Sequence, residues 1–421
     1  MFYQFMKWYL GWMIKLYYRR VYTNGTEGIP NGQPVIFASN HPGGFVEPII
    51  LTTNVRQPIH FLVLGSFLTS PYLQWLFRAL KMVPIYRRDI AGSQSIVKNE
   101  STFQYVFSAL KRNSHILIYP EAQTQFIYKI RPLKKGIARM AKGFLESKTH
   151  EHMFIVPVGV NFIDVSRFRS DVFIDIGTPI KISIEEGQGN DWLYKTIEKT
   201  RQGMENVVFD VQDESRHAFV QDYVEIKHYA VQNELDIMVK TYVKSGKHVR
   251  NIKSYVDQID NMTDDAFTEL KGKLVDFYKK RAAYKLNVRT IGLIQEFRLF
   301  HYVLLIVGFP FYIIGGIINS VSLVGAVYVR RNLVKRIEYK SAVSGAIPSV
   351  LTIIGFVCFF VMGIVFHLGF LIIAITLPVS MYLFIYYNDL LDLFIQKSRY
   401  KRLSKNEKEE LEKMLREINV F

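Results

Sequence analysis

At 421 residues the chain is long enough for one sizeable core and a second part, since single cores usually divide beyond about 250–300 residues. A formal net charge of +16 suits an anionic partner such as a phospholipid surface, a phosphorylated substrate or nucleic acid. The 14% aromatic content and the long apolar runs of the last third favour the membrane, and the single cysteine, Cys358, excludes a disulfide framework or a thiolate metal cluster.

Met1–Arg20 is the first expected element. Gln4, Lys7, Gly11, Lys15 and Arg19 recur at three- and four-residue spacing, one polar stripe on a helix otherwise covered by Phe2, Phe5, Trp8, Tyr9, Leu10, Trp12, Met13, Leu16 and Tyr17. Such a helix, assigned to residues 1–23, is expected to lie in the headgroup layer, to cap the globular part, or both. Its longest uncharged stretch, Trp8–Ile14, is short for a signal-peptide core, and no small-residue cleavage site follows.

Residues 24–182 alternate in pattern. Short runs rich in β-branched and aromatic residues (Pro34–Ala38, Ile59–Leu64, Met82–Tyr86, His115–Tyr119, Phe154–Asn161, Val172–Ile176) are separated by helix-like stretches at Pro71–Leu80, Thr102–Arg112 and Gly136–Glu146. This predicts an α/β domain, a central sheet flanked by helices with its site in loops beyond strand ends.

Directly after the first of these strands comes Ser39-Asn40-His41-Pro42-Gly43-Gly44-Phe45-Val46-Glu47-Pro48. Pro42, Gly43 and Gly44 compel a tight loop, so His41 and Glu47 bracket a turn, with Pro48 suited to the first position of a helix. A carboxylate beside an imidazole fixes its tautomer and stabilises the imidazolium, leaving the other nitrogen to take a proton from a hydroxyl. Taken alone the pair reads more readily as a satisfied loop histidine beside a surface glutamate, and only the company of further motifs reverses that preference. Further on, Arg131-Pro132-Leu133-Lys134-Lys135-Gly136 opens a helix, where Lys134 and Lys135 suit an anion or are simply solvated.

From 183 to 297 the strand signal fades into charged, helix-favouring sequence, expected to be a helical connector. Residues 298–394 form the expected membrane region, because Tyr302–Val329 and Ser341–Asn388 contain no Asp, Glu, Lys or Arg. The longer run fits two spans, 346–366 and 370–387, turning at His367-Leu368-Gly369. Basic flanks on both sides, Arg330, Arg331, Lys335, Arg336 and Lys340, then Lys397, Arg399, Lys401 and Arg402, assign both ends to the cytoplasm. Pro310, Gly315 and Gly316 interrupt the shorter run, 302–329, which is read as a re-entrant or broken helical pair with both ends cytoplasmic, a single tilted span being the alternative. Residues 395–421 form an amphipathic tail in which Ser404 and Glu407 make a capping box and Leu411, Met414, Leu415 and Ile418 share one face.

Four blocks in order carry a family likeness: Asn40–Pro48, then Val83-Pro84-Ile85-Tyr86-Arg87, then Tyr119-Pro120-Glu121-Ala122-Gln123-Thr124, then Val156-Pro157-Val158-Gly159-Val160-Asn161. Together they resemble the signature of the glycerol-3-phosphate and lysophosphatidate acyltransferases, over about residues 1–180, in the branch that includes bacterial and fungal-type glycerol-3-phosphate acyltransferases. The resemblance implies that His41 deprotonates an acceptor hydroxyl for direct attack on a thioester and that Glu47 stands where the family has aspartate, one residue further along than in the commonest spacing. It implies that Arg87 binds the acceptor's phosphate, to which a guanidinium offers a two-pronged donor set. Glu121 and Thr124 would help bind the acceptor, Ala122 and Thr124 standing where the family has glycine and serine. An alanine there implies that the loop differs or that a left-handed backbone was never needed.

The implied activity is transfer of a fatty acyl group from acyl-CoA or acyl carrier protein to glycerol 3-phosphate or lysophosphatidate, with no cofactor or metal and with the active site on the cytoplasmic face of the membrane. A lyso-aminolipid acceptor and a catalytically inactive lipid-binding homologue are the competing readings. Nucleic acid is set aside, because phospholipid headgroups are the simpler counterion for basic residues that flank apolar spans.

Overall fold

A computed structural model describes the chain apart from residues 88–89, 91, 185–188, 231–240 and 293–296, so Arg88 and Asp89 of the run after Arg87, and parts of the expected connector, lie outside the described residues. Packing divides the chain into one unit of Met1–Val165, Ser170–Asp210 and Tyr242–Lys253 and another of Ser166–Arg169, Val211–Thr241 and Ser254–Phe421.

The first unit is built on nine strands: β1 (Arg20–Asn24), β2 (Val35–Ser39), β3 (Ile59–Leu64), β4 (Met82–Ile85), β5 (His115–Ile118), β6 (His152–Phe162), β7 (Asp171–Ile176), β8 (Ile180–Ser183) and β9 (Tyr242–Lys244). They lie in the order β4-β3-β5-β2-β6-β7-β1-β9, with β8 pairing β6. The block β4-β3-β5-β2-β6 is parallel, so the carboxyl ends of these five strands share one edge of the sheet. Strand β7 runs antiparallel to β6, and β1 and β9 follow the direction of β7.

Every residue of β2 is buried, as expected of a strand covered on both faces. Its side chains alternate, Ile36 and Ala38 entering one apolar cluster with Val106, Ala109 and Leu110 of α4 (Gln94–Lys111) and Ile137, Met140, Ala141 and Phe144 of α5 (Gly136–Glu146). The helices α1 (Phe2–Tyr17), α2 (Val46–Asn54), α3 (Gln74–Ala79) and α6 (Gly189–Glu205) complete the described helices lying wholly in this unit.

Two expected boundaries move. The first helix ends at Tyr17, so Arg19 is not part of its polar stripe but is buried in an ion pair with Asp171, and β1 begins at Arg20. The middle of the stripe faces inward: Lys7 donates to the Val55 carbonyl at 2.5 Å, at the C-terminus of α2, and Gly11 packs on Thr53, while Gln4 and Lys15 stay exposed, as do Phe2, Phe5 and Trp8. The connector expected over 183–297 is not one element either. Trp192, Leu193 and Met204 of α6 enter the core of the first unit, and β9 pairs with β1. A charged outer face masks the apolar stripe of α6, and three residues are too few for β9 to show an alternation.

The second unit is helical, with α7 (His217–Ala230), α8 (Gly246–Asn261, entering from Ser254), α9 (Asp264–Ala283), α10 (Val288–Gly292), α11 (Leu299–Ile318), α12 (Ser320–Asn332), α13 (Ile337–Val365), α14 (Gly369–Arg402) and α15 (Lys405–Val420). Among the described residues three helices, α11, α13 and α14, are long and apolar enough to cross a membrane. The expected 346–366 and 370–387 fall almost wholly within α13 and α14, which extend further at their basic ends.

The shorter apolar run breaks at Asn319, not at Pro310, Gly315 or Gly316. The two glycines instead permit close packing: a Cβ on Gly315 would stand 2.9 Å from the Ser380 carbonyl of α14, and Gly316 lies against Phe384. Asn319 is buried and donates to Gly315 O and Ser380 Oγ, both at 2.9 Å. Helix α11 is antiparallel to α14, Gly308 facing Tyr387, whereas Gly325 of α12 faces Ile347 and Leu351 of α13; α12 therefore returns toward the end from which α11 set out. In α15 the Ser404–Glu407 capping box forms, and Leu411 and Ile418 are buried where the helix packs on α9.

Candidate active site

The parallel block delivers three loops to one sheet edge. Beyond β2, Asn40 uses its side chain as a further rung of the sheet, donating from Nδ2 to Val160 O (3.1 Å) and accepting from Val160 N at Oδ1 (2.8 Å). This fixes where His41 leaves the sheet. The His41 carbonyl accepts from Gln125 N at 3.2 Å, tying this loop to the one after β5.

Gly44 then takes φ +68°, a left-handed value that suits glycine, and the chain enters α2 at Val46. Glu47 is in the first turn and Pro48 is its third residue, two places later than the sequence suggests, still where no intrahelical partner for an N–H is needed. The Glu47 side chain folds back into the loop: Oε1 accepts from the Gly43 backbone N–H and stands 3.6 Å from His41 Nδ1. Glu47 is 1% exposed and His41 17%, so the acid is interior and the imidazole reaches the surface. At 3.6 Å the pair is an electrostatic contact and not a hydrogen bond, a looseness common in sites without substrate. A Cβ on Gly43 would meet Val165 at 3.1 Å, Phe162 at 3.3 Å and Glu47 Oε1 at 3.4 Å, so this glycine gives the acid its room.

Tyr119, one residue beyond β5, stacks on the His41 ring with centroids 3.8 Å apart and planes at 16°. Burial and the neighbouring Glu47 carboxylate push the Tyr119 hydroxyl well above the usual phenol range, which keeps it protonated. The next residues make a turn with Ala122 N donating to Tyr119 O at 3.0 Å, and Ala122 adopts φ +55°. The backbone there is left-handed with an alanine in place, an outcome that neither expectation for this position anticipated. Its neighbours hold it: Arg87, just past β4, donates from Nη1 to the Ala122 carbonyl at 2.5 Å.

Glu121 is buried, and its Oε2 accepts from Arg131 Nε (3.0 Å) and Arg131 N (3.2 Å). Burial raises the Glu121 carboxyl above the usual carboxylate range and Arg131 opposes that rise, with His41 contributing weakly in the same sense. Arg131 also donates to the Gln123 side chain (3.0 Å) and carbonyl (2.8 Å) and to the Gln125 side chain (3.2 Å), which makes it the hub of the loop. No local signal in the sequence marks it, because a lone arginine ten residues after an acid obeys no spacing rule. Thr124 is half-buried in this same loop. Lys134 is exposed, its backbone N–H bonded to Pro120 O at 2.8 Å. Lys135 is turned to α6, where Nζ donates to Tyr194 Oη at 2.7 Å and sits 4.2 Å from the ring centre. Among the described residues no three His, Cys, Asp or Glu side chains converge as metal ligands would.

A family model described as Acyltransferase matches residues 20–161, from β1 through nearly all of β6, and so spans all these loops. The chain is 24% identical over 266 residues to "Glycerol-3-phosphate O-acyltransferase 1" of Saccharomyces cerevisiae, covering 44% of this chain and 35% of that protein. It is 28% identical over 116 residues to "Glycerol-3-phosphate O-acyltransferase 2" of the same yeast, covering 27% and 16%, and 22% identical over 288 residues to an uncharacterised acyltransferase of Schizosaccharomyces pombe, covering 48% and 42%. It thus spans less than half the length of each of these relatives. Among solved structures, the 1-acyl-sn-glycerophosphate acyltransferase of Thermotoga maritima aligns over 44% of this chain and 71% of its own at 19% identity, with a TM-score of 0.32.

Proposed function

We propose that the chain belongs to the glycerol-3-phosphate and lysophosphatidate acyltransferase superfamily and is a membrane enzyme that moves a fatty acyl group from acyl-CoA or acyl carrier protein to a hydroxyl of glycerol 3-phosphate or lysophosphatidate. The observation that carries this reading is the buried Glu47 held 3.6 Å from the partly exposed His41 at the mouth of the parallel sheet.

In this mechanism Nε2 of His41 takes the proton of the acceptor hydroxyl as its oxygen attacks the thioester carbonyl, and Glu47 stabilises the imidazolium from the Nδ1 side. The tetrahedral intermediate collapses with cleavage of the C–S bond, and the proton held by His41 passes to the departing sulfur. A thiol with a pKa of about 8.5 is a good leaving group, so the protein need not form an acyl-enzyme. Tyr119 limits rotation of the imidazole by stacking on it.

Arg87, Glu121, Thr124, Lys134 and Lys135 are the proposed acceptor-binding residues, and their surroundings divide the work. Glu121, through Arg131, and Arg87, through the Ala122 carbonyl, shape the loop on which the acceptor would rest. The exposed Lys134 suits the phosphate as a solvated charge, whereas Lys135 must first leave Tyr194. The three apolar helices associate the protein with a membrane, and the basic residues flanking them support a site on the cytoplasmic face. One observation favours a second reading, a lyso-aminolipid acceptor: Arg87 commits Nη1 to a backbone carbonyl. The test is full-length protein reconstituted in lipid, given labelled acyl-CoA or acyl carrier protein and offered glycerol 3-phosphate, lysophosphatidate and a lyso-aminolipid side by side. Transfer to either phosphate-bearing acceptor is expected; transfer to the lyso-aminolipid alone would select the second reading, and transfer to none would refute both.

A further inference from the structure

Among the described strands β4 stands first in the sheet and pairs with β3, so its other side is an edge. Alternation along the strand turns Pro84 and Tyr86 to that side, where the backbone groups of an edge strand are ordinarily left to water or to another strand. Pro84 has no N–H to leave open. Helix α4 takes up the rest. Thr102 Oγ1 donates to Pro84 O at 2.7 Å, and Asn99, three residues earlier on the same helix face, takes both groups of Tyr86: Oδ1 accepts from Tyr86 N at 2.9 Å and Nδ2 donates to Tyr86 O at 2.7 Å. Only one orientation of the amide satisfies both groups. Asparagine is a poor helix former away from the caps, and this tertiary pairing accounts for its place within α4.

The pairing repeats what Asn40 does against Val160. There an amide extends the sheet at the residue before His41; here an amide extends it at the residue before Arg87. Tyr86 is held through its ring as well, since Gly65 leaves open the space where a Cβ would collide with it and Lys98 Nζ lies 5.3 Å from its centre. With backbone and ring both fixed, the chain leaves β4 in one direction, and Arg87 reaches the Ala122 carbonyl in the loop after β5. We propose that Asn99 is a positioning residue of the acceptor site, setting through Tyr86 the place of the Arg87 guanidinium and of the loop that Arg87 braces. This role rests on the acceptor-binding function given to Arg87 above; the clamp on Tyr86 does not.

The test uses full-length protein reconstituted in lipid, with glycerol 3-phosphate and lysophosphatidate as acceptors. Asn99→Ala should raise the KM for the acceptor that the wild type acylates several-fold, with kcat and the KM for the acyl thioester unchanged. Asn99→Asp, which keeps the bond from Tyr86 N–H but sets an oxygen against Tyr86 O, should act in the same direction. Thr102→Val removes the neighbouring bond to Pro84 O at the same edge and should leave the acceptor KM as it is. In an Arg87→Ala background Asn99→Ala should add nothing, because both changes act through one guanidinium. A loss confined to kcat or to the thioester KM, an equal rise on Thr102→Val, or a full further rise in the Arg87→Ala background would overturn the positioning role. Hydrogen exchange reads the clamp whatever the reaction: amides of residues 84–87 should exchange several-fold faster in Asn99→Ala, and unchanged exchange would overturn the clamp. A wild type that acylates neither acceptor, or an Arg87→Ala variant with the wild-type acceptor KM, would refute the reading on which the positioning role rests and so overturn that role, while leaving the exchange result intact.

Discussion

At the scale of single residues the account turns on Glu47, whose extra methylene relative to aspartate is absorbed by its burial and its bond to the Gly43 N–H. Glu47→Gln keeps the size and loses the charge; acyl transfer should fall nearly as far as on loss of the base, because a neutral amide neither stabilises the imidazolium nor selects the tautomer. Glu47→Asp should also lose activity, since the loop closed by Gly43 and Gly44 holds the carboxylate at the reach of glutamate. Wild-type kcat in both variants would make Glu47 a bystander. A second residue-scale consequence concerns Ala122 at φ +55°. A left-handed alanine costs about 1–2 kcal/mol, against roughly 0.4–1 kcal/mol of added unfolded-chain entropy for glycine, so Ala122→Gly should keep activity and modestly raise resistance to thermal inactivation. Ala122→Val should lose both, as a β-branched residue drives the carbonyl away from Arg87. Equal behaviour of the two variants would contradict the left-handed turn.

Among elements, the loop after β5 depends on one guanidinium. Arg131→Ala leaves the Glu121 carboxylate buried without its cation, a change that costs about 3–5 kcal/mol in comparable buried pairs. The thermal midpoint should drop, and adding Glu121→Gln should recover part of the loss; strictly additive effects in the double-mutant cycle would show that the two side chains do not act as a unit. The sequence announced this loop through Pro120 and Glu121 but not through Arg131, because a pair ten residues apart is made only by the fold. The same holds for Tyr119, which as a sequence feature is the last residue of an apolar strand, and for the break at Asn319. Pro310 and the glycines carry the stronger local signal, yet packing on α14 and α13 decides where that helix stops.

Over the whole molecule, most of the parallel block, the His41–Glu47 loop and the two longest apolar helices were legible, because period-2 runs, glycine–proline turns and uncharged stretches are local signals. The boundaries were not: β1 begins where a continuous helix was expected, and α6 and β9 join the first unit from within sequence that reads as a connector. Lys135 shows the same limit for the site, since only the fold brings Tyr194 to it. Assignment of the reaction rests finally on one histidine. The most direct measurement is the rate of transfer from a labelled acyl thioester by the reconstituted full-length protein and its His41→Ala variant, with label on the protein itself counted alongside. A loss of about 10²–10⁴-fold with no label retained on the protein is the predicted result; a variant that keeps more than about a tenth of the wild-type rate, or a wild type that accumulates a covalent acyl group, would contradict direct transfer driven by His41.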